Sequence, residues 1–111
     1  MKISRHENYI VIVDSMDDVV KFSQYLERIV PLEYEFDNLV IDLLKYENLK
    51  NDELLMFLKL SNYHRASKHS FVIVNNGLHI DDIIDEIVVV PTLEEAGDIV
   101  EMENIERDLG F

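Results

Sequence analysis

Four histidines, 23 acidic side chains and no cysteine are the raw material for chemistry in this 111-residue chain. Without Cys there is no thiolate nucleophile, no disulfide and no Cys-based zinc or iron–sulfur site. The histidines are His6, His64, His69 and His79. His64 and His69 are five residues apart, off the i, i+4 spacing of a helical zinc pair. With Lys59, Arg65 and Lys68 they read as the solvated C-terminal end of a helix, where the dipole favours positive charge. Acidic pairs recur at Asp17-Asp18, Asp52-Glu53, Asp81-Asp82, Asp85-Glu86 and Glu94-Glu95. Two carboxylates across a cleft could serve a glycosidase, but most of these pairs stand at expected helix starts, where the dipole accounts for them. Asp81-Asp82-x-x-Asp85-Glu86 could attract a divalent cation, although it lacks the Gly and the 12-residue spacing of an EF-hand loop. No Gly-rich loop follows a strand, and Ser15, Ser61 and Ser70 lack a Gly-x-Ser-x-Gly context. A metallo-β-lactamase-type nuclease would need a His-x-His-x-Asp-His cluster, which the sequence does not contain. Asp42 is the one acid inside an expected buried strand, near its end. The residues therefore predict no catalytic apparatus and no cofactor.

What remains is a contact surface. Tyr46, Glu47, Asn48, Lys50, Asn51, Asp52 and Glu53 occupy the connection between an expected strand and helix. Tyr and charged side chains there could meet a protein partner. The alternative for Tyr46 is a ring tucked against the core with its hydroxyl in water. Asn51 and Asp52 are also ordinary helix-start residues. The formal net charge of −13 argues against nucleic acid and against anionic membrane surfaces, and would steer in a partner with a basic surface. The same charge would also simply keep a small protein soluble. The N-terminus has no signal-peptide core, and the apolar run at residues 9–13 is far below the ~20 residues of a membrane span. A cytoplasmic location is expected.

The length suits one domain over residues 1–111. Residues 2–4 and the β-branched run 9–13 predict an N-terminal hairpin. Ser15 reads as the cap of a first helix, with Val19, Phe22, Leu26, Ile29 and Val30 at helical spacing and Pro31 ending it. A strand is expected over 39–44, then a helix over 52–67 capped by Asn51. That helix would bury Leu54, Leu55, Phe57, Leu58, Leu60 and Ser61. Residues 71–74 form a buried strand, 80–86 a short helix and 87–90 a last strand. Thr92 and Glu95 have capping-box spacing for a terminal helix whose apolar face carries Leu93, Ala96, Ile99, Val100, Met102 and Ile105. Gly110 suits its end. The order β-β-α-β-α-β-α-β-α predicts an α/β fold with a mainly parallel sheet and about four helices.

That order at this length resembles the STAS domain, the fold of bacterial anti-sigma factor antagonists and of the cytoplasmic tails of sulfate transporters. Leu39-Val40-Ile41-Asp42-Leu43 matches the family's strand, and Lys50-Asn51-Asp52-Glu53-Leu54 stands where its Asp-Ser-Ser/Thr-Gly-Leu signature lies. The following helix and the strand 71–74 fall in register. The ending, residues 87–111, is similar to small STAS-like proteins of Bacteroidetes. The resemblance implies an interaction module whose partner is an anti-sigma factor or another regulator. It also places the phosphoacceptor position on Asn51, which a serine kinase cannot modify, so partner binding would not be switched there. A small-molecule or divalent-metal-binding domain, or a structural subunit of a larger complex, are the alternative expectations.

Overall fold

Alternation within three short strands decides the architecture. Strands β2 (Ile10–Val13), β3 (Leu39–Asp42) and β4 (Phe71–Val74) are apolar on both faces, as strands buried on both sides must be. Their side chains are sorted by size. Ile10, Ile12, Leu39, Ile41, Phe71 and Ile73 point to one face, and Val11, Val40, Val72 and Val74 to the other. The computed structural model describes residues 1–78 and 83–110. In it the strands join β1 (Lys2–Arg5) and β5 (Val88–Val90) in one sheet of order β1-β2-β3-β4-β5. The β1–β2 pair is antiparallel, and the other three pairs are parallel.

The larger side chains meet α1 (Val19–Glu33) and a second helical segment, built from α2 (Asn51–Leu54), a 3₁₀ turn at Leu55–Phe57 and α3 (Leu58–Ala66). Phe22, Leu26, Phe57 and Phe71 are fully buried there, each contributing about 1.5–3 kcal/mol by leaving water. The strands run in sequential order, and the two helical crossovers, from β2 to β3 and from β3 to β4, both lie on this face. The valine face receives α4 (Leu93–Asp108), whose Ala96 and Val100 are buried against it. Small residues on both surfaces allow a close approach. No helix among the described residues is long and apolar enough to cross a membrane.

Several expectations need correction. The first helix starts a turn later than Ser15: Asp18 caps it, its Oδ1 accepting the Lys21 N–H at 3.1 Å. Ser15 Oγ instead meets the N-terminal ammonium. Pro31 does not end the helix but lies inside its last turn. There its missing N–H forgoes a single backbone bond, and the Tyr34 N–H still reaches the Val30 carbonyl at 2.9 Å. The second helix is interrupted by the 3₁₀ turn, and Asn51 is inside its first turn rather than at its cap. The cap is Lys50, whose backbone N–H donates to Glu53 Oε1 at 3.0 Å. Leu55 is exposed and Leu58 half-buried. His64 is fully buried, not a solvated end. Residues 83–86 are turn, not helix, and the rest of the helix expected over 80–86 is outside the described residues. The described order is thus β-β-α-β-α-β-β-α. Thr92 does cap α4, accepting the Glu95 N–H at 3.1 Å, yet Met102 and Ile105 stand exposed.

Candidate functional site

Parallel strands end together. β2, β3 and β4 finish at Val13, Asp42 and Val74, so the chain that leaves each of them meets its neighbours at the carboxyl edge of the sheet. Each strand is followed or closed by a short side chain that can bond nearby backbone, as Asp and Asn do in turns. Asp14 is buried, and its carboxylate accepts the Met16 N–H at 2.6 Å and the Tyr46 hydroxyl. Asp42 Oδ1 accepts the Leu44 N–H at 2.9 Å. Asn75, also buried, donates through Nδ2 to the carbonyls of Leu43 and Tyr46, both at 2.9 Å. Its Oδ1 accepts the Gly77 N–H at 2.9 Å.

These bonds fix the connection from Leu43 to Lys50. Leu49 pins it to the core from within. Lys45 lies across its outer side. The ammonium is 3.2 Å from Asp17 Oδ1, donates to the carbonyls of Asp14 and Met16, and sits 5.5 Å from the centre of the Tyr46 ring. Burial pushes the ionisation of the Tyr46 phenol up, and its hydrogen bond to Asp14 and the charges of Asp14, Asp17 and Asp18 push it further. The hydroxyl stays protonated and donating at neutral pH.

The seven expected contact residues divide. Tyr46, Glu47, Asn48, Lys50 and Glu53 line one open cleft of about 560 Å³ together with Asp17, Asp18 and Lys45. Asn51 and Asp52 are exposed on the first turn of α2, outside that lining. The Tyr46 ring packs partly against the core, as one of its two expected placements had it, but its hydroxyl bonds the buried Asp14. Glu47, Asn48 and Lys50 are exposed. Asp14, Asp17, Asp18 and Lys45 are members of this edge that sequence reasoning missed. A signal existed: a side chain of the Asp/Asn type directly after or at the end of each of three apolar runs, at Asp14, Asp42 and Asn75.

Chemically, the edge is acidic and its inner groups are already paired. The ammonium of Lys45 and the carboxylate of Asp14 are both engaged by the chain itself. Among the described residues no three His, Asp or Glu side chains gather as metal ligands. Asp81 and Asp82, half of the run weighed above for a divalent cation, lie outside the described residues. No protein-family model matches the chain, and no curated protein matches it.

Proposed function

We infer that the protein is a non-catalytic interaction module of the cytoplasm that takes a partner with a basic surface at the carboxyl edge of its sheet. The observation that carries this reading is the fixed loop. Asn75, Leu49 and the Asp14–Tyr46 bond hold its backbone, while Glu47, Asn48, Lys50, Asn51 and Asp52 project into solvent beside Asp17 and Asp18. A pre-ordered loop loses little conformational entropy on binding, and its carboxylates would steer a cationic face. The STAS resemblance supports the same surface, and an N-terminal hairpin leading into parallel strands in sequential order is compatible with it. On that reading the partner is an anti-sigma factor or a similar regulator, and Asn51 leaves binding outside the control of a serine kinase.

Affinity capture from native lysate with the wild type, Asp52→Lys and Glu47→Lys tests the proposal. Partners retained by the wild type and lost from both variants, with unchanged thermal unfolding, are the expected result. An identical set of partners on all three baits would remove this surface from consideration. A small-ligand reading draws on the cleft's volume, which falls in the range of about 300–1,000 Å³ common for ligand pockets. Against it stand the internal bonds of Lys45 and Tyr46, which occupy the polar groups a ligand would need.

A further inference from the structure

Cations are scarce in this chain, 10 Lys and Arg against 23 acids, and they are unevenly placed. Arg5, Lys68 and Arg107 line one cleft of about 420 Å³ together with His6 and His69. It lies at the amino edge of the parallel strands, where the segments entering β2, β3 and β4 meet, opposite the loop described above. With Glu7 and Asp37 also in the lining, the cleft holds a small excess of cations in a chain of net charge −13, and such a local excess raises the concentration of anions.

Two of these cations are presented, not merely exposed. Arg107 Nη2 donates to Asn104 Oδ1 at 2.6 Å, Ser70 Oγ at 3.1 Å and Asn38 Oδ1 at 3.3 Å. Asn38 is itself fixed, donating to the Asn8 carbonyl at 3.0 Å and accepting the Ser70 N–H at 2.8 Å. The guanidinium is therefore held by neutral oxygens, and its charge is not cancelled by them. Lys68 has a different constraint. It follows α3 with φ +68°, the only positive φ of a non-glycine residue among the described residues. The N–H groups of Lys68 and His69 donate to the carbonyls of Arg65 and His64, at 3.0 and 3.4 Å, which is the double closure of a Schellman motif. Glycine is the usual residue there, and α4 uses one, Gly110 at φ +84°. A lysine in this backbone conformation is strained, and this residue lines the cleft. Strain held at a lining residue points to a functional constraint.

We propose that this cleft binds the phosphate group of a small hydroxylated ligand. Guanidinium and ammonium N–H groups are donors that match phosphate oxygens; Arg107 has Nη1 and Nε for this, its Nη2 being bonded within the chain. Glu7 and Asp37 share the lining; they disfavour a bare polyanion and accept hydroxyls from the remainder of the ligand. The site is independent of the carboxyl-edge surface.

The test is a ¹⁵N-resolved NMR titration of the full chain with inorganic phosphate and with glycerol 3-phosphate, at constant ionic strength set by chloride. Glycerol 3-phosphate is expected to saturate, with shifts centred on Lys68, His69 and Arg107, and to bind more tightly than inorganic phosphate. Lys68→Gly and Arg5→Gln are each expected to weaken it about tenfold, the scale of one lost charge-assisted contact of ~1.4 kcal/mol. Lys68→Gly keeps the helix closure, so misfolding does not explain a loss. Absence of saturation, equal shifts with chloride alone, inorganic phosphate binding as tightly as the ester, or wild-type affinity in Lys68→Gly would each overturn the proposal.

Discussion

The two ends of the sheet solve one structural problem in opposite ways. At each end three neighbouring parallel strands must hand the chain on through segments that pack side by side. At the carboxyl edge the polar groups cancel one another: Lys45 pairs with Asp17, Tyr46 bonds Asp14, and Asn75 ties two carbonyls to an N–H. What is left over is exposed acid. At the amino edge Arg107 is held by the neutral oxygens of Asn38, Ser70 and Asn104, and Lys68 stands exposed. A charge held by dipoles remains a charge for something else to meet. The difference separates a surface whose interior is satisfied from a cleft whose cations are not.

Removing the central amide at each edge gives the largest contrast. Asn75→Ala strands the Tyr46 carbonyl and the Gly77 N–H in a buried site and leaves the Leu43 carbonyl with the Tyr46 N–H alone. A cost of about 2–4 kcal/mol is expected, since each unsatisfied buried group costs roughly 1–3 kcal/mol and water will rescue some. Asn38→Ala breaks four bonds, to the Asn8 carbonyl, Asn104, the Ser70 N–H and Arg107, but in a half-buried site that water enters easily, so about half that cost is expected. Urea unfolding of both variants measures the difference. Equal losses would mean the carboxyl edge is no more closed than the other.

Glycines probe the same edges sterically. A Cβ at Gly77 would stand 2.5 Å from the Glu47 carbonyl oxygen, which belongs to the fixed loop. Gly77→Ala must displace backbone, and a loss of about 1–3 kcal/mol is expected. A Cβ at Gly97 would meet the Tyr9 hydroxyl at 2.9 Å. That contact is the far end of a side chain which can turn aside, so Gly97→Ala is expected to cost less, and a helix interior gains from alanine. Thermal unfolding that ranked Gly97→Ala as the worse of the two would show the Glu47 segment to be the softer neighbour.

The strands, the hairpin, the α4 cap and the α/β class were legible because period and capping are local properties. Val40, Val72 and Val74 differ from Leu39, Phe71 and Ile73 in size, and that alternation already sorts two faces. What stayed hidden was non-local. Nothing adjacent to Tyr46 in the chain announces Asp14, 32 residues away. Nothing near His64 announces the Asp37 carbonyl, 27 residues away, that accepts from its Nε2 at 2.6 Å. The basic run around His64 read as a solvated helix end, and packing of its ring against Phe71 overrode that pattern.

His64 turns that hidden contact into a pH dependence beneath the amino edge. Burial pushes its ionisation below the ordinary value of 6.5, outweighing the raising effect of the Asp37 hydrogen bond. Above pH 6.5 the ring is neutral in both states and contributes no slope. Below it the unfolded chain binds a proton that the native ring resists, so stability falls as pH falls. Urea midpoints of the wild type are expected to drop between pH 7 and pH 5 more steeply than those of His64→Gln, which keeps a donor for the Asp37 carbonyl. Parallel slopes would mean the ring takes its proton without leaving the core.

The smallest effect has the opposite sign. A left-handed backbone costs a non-glycine residue about 1–2 kcal/mol, while glycine costs roughly 0.5–1 kcal/mol in the entropy of the unfolded chain. Lys68→Gly is therefore expected to stabilise the protein by about 0.5–1 kcal/mol, a rise of a few degrees in Tm for a chain this long. Lys68→Ala removes the same ammonium and keeps the strain, so it is expected to stay near the wild-type Tm. If both variants lose phosphate binding and only the glycine variant gains stability, charge and strain at this position are separable, and the lysine persists for its charge. If Lys68→Gly gains nothing, the side chain of Lys68 makes a stabilising contribution at the amino edge that offsets its backbone strain, and the contrast between the two edges narrows.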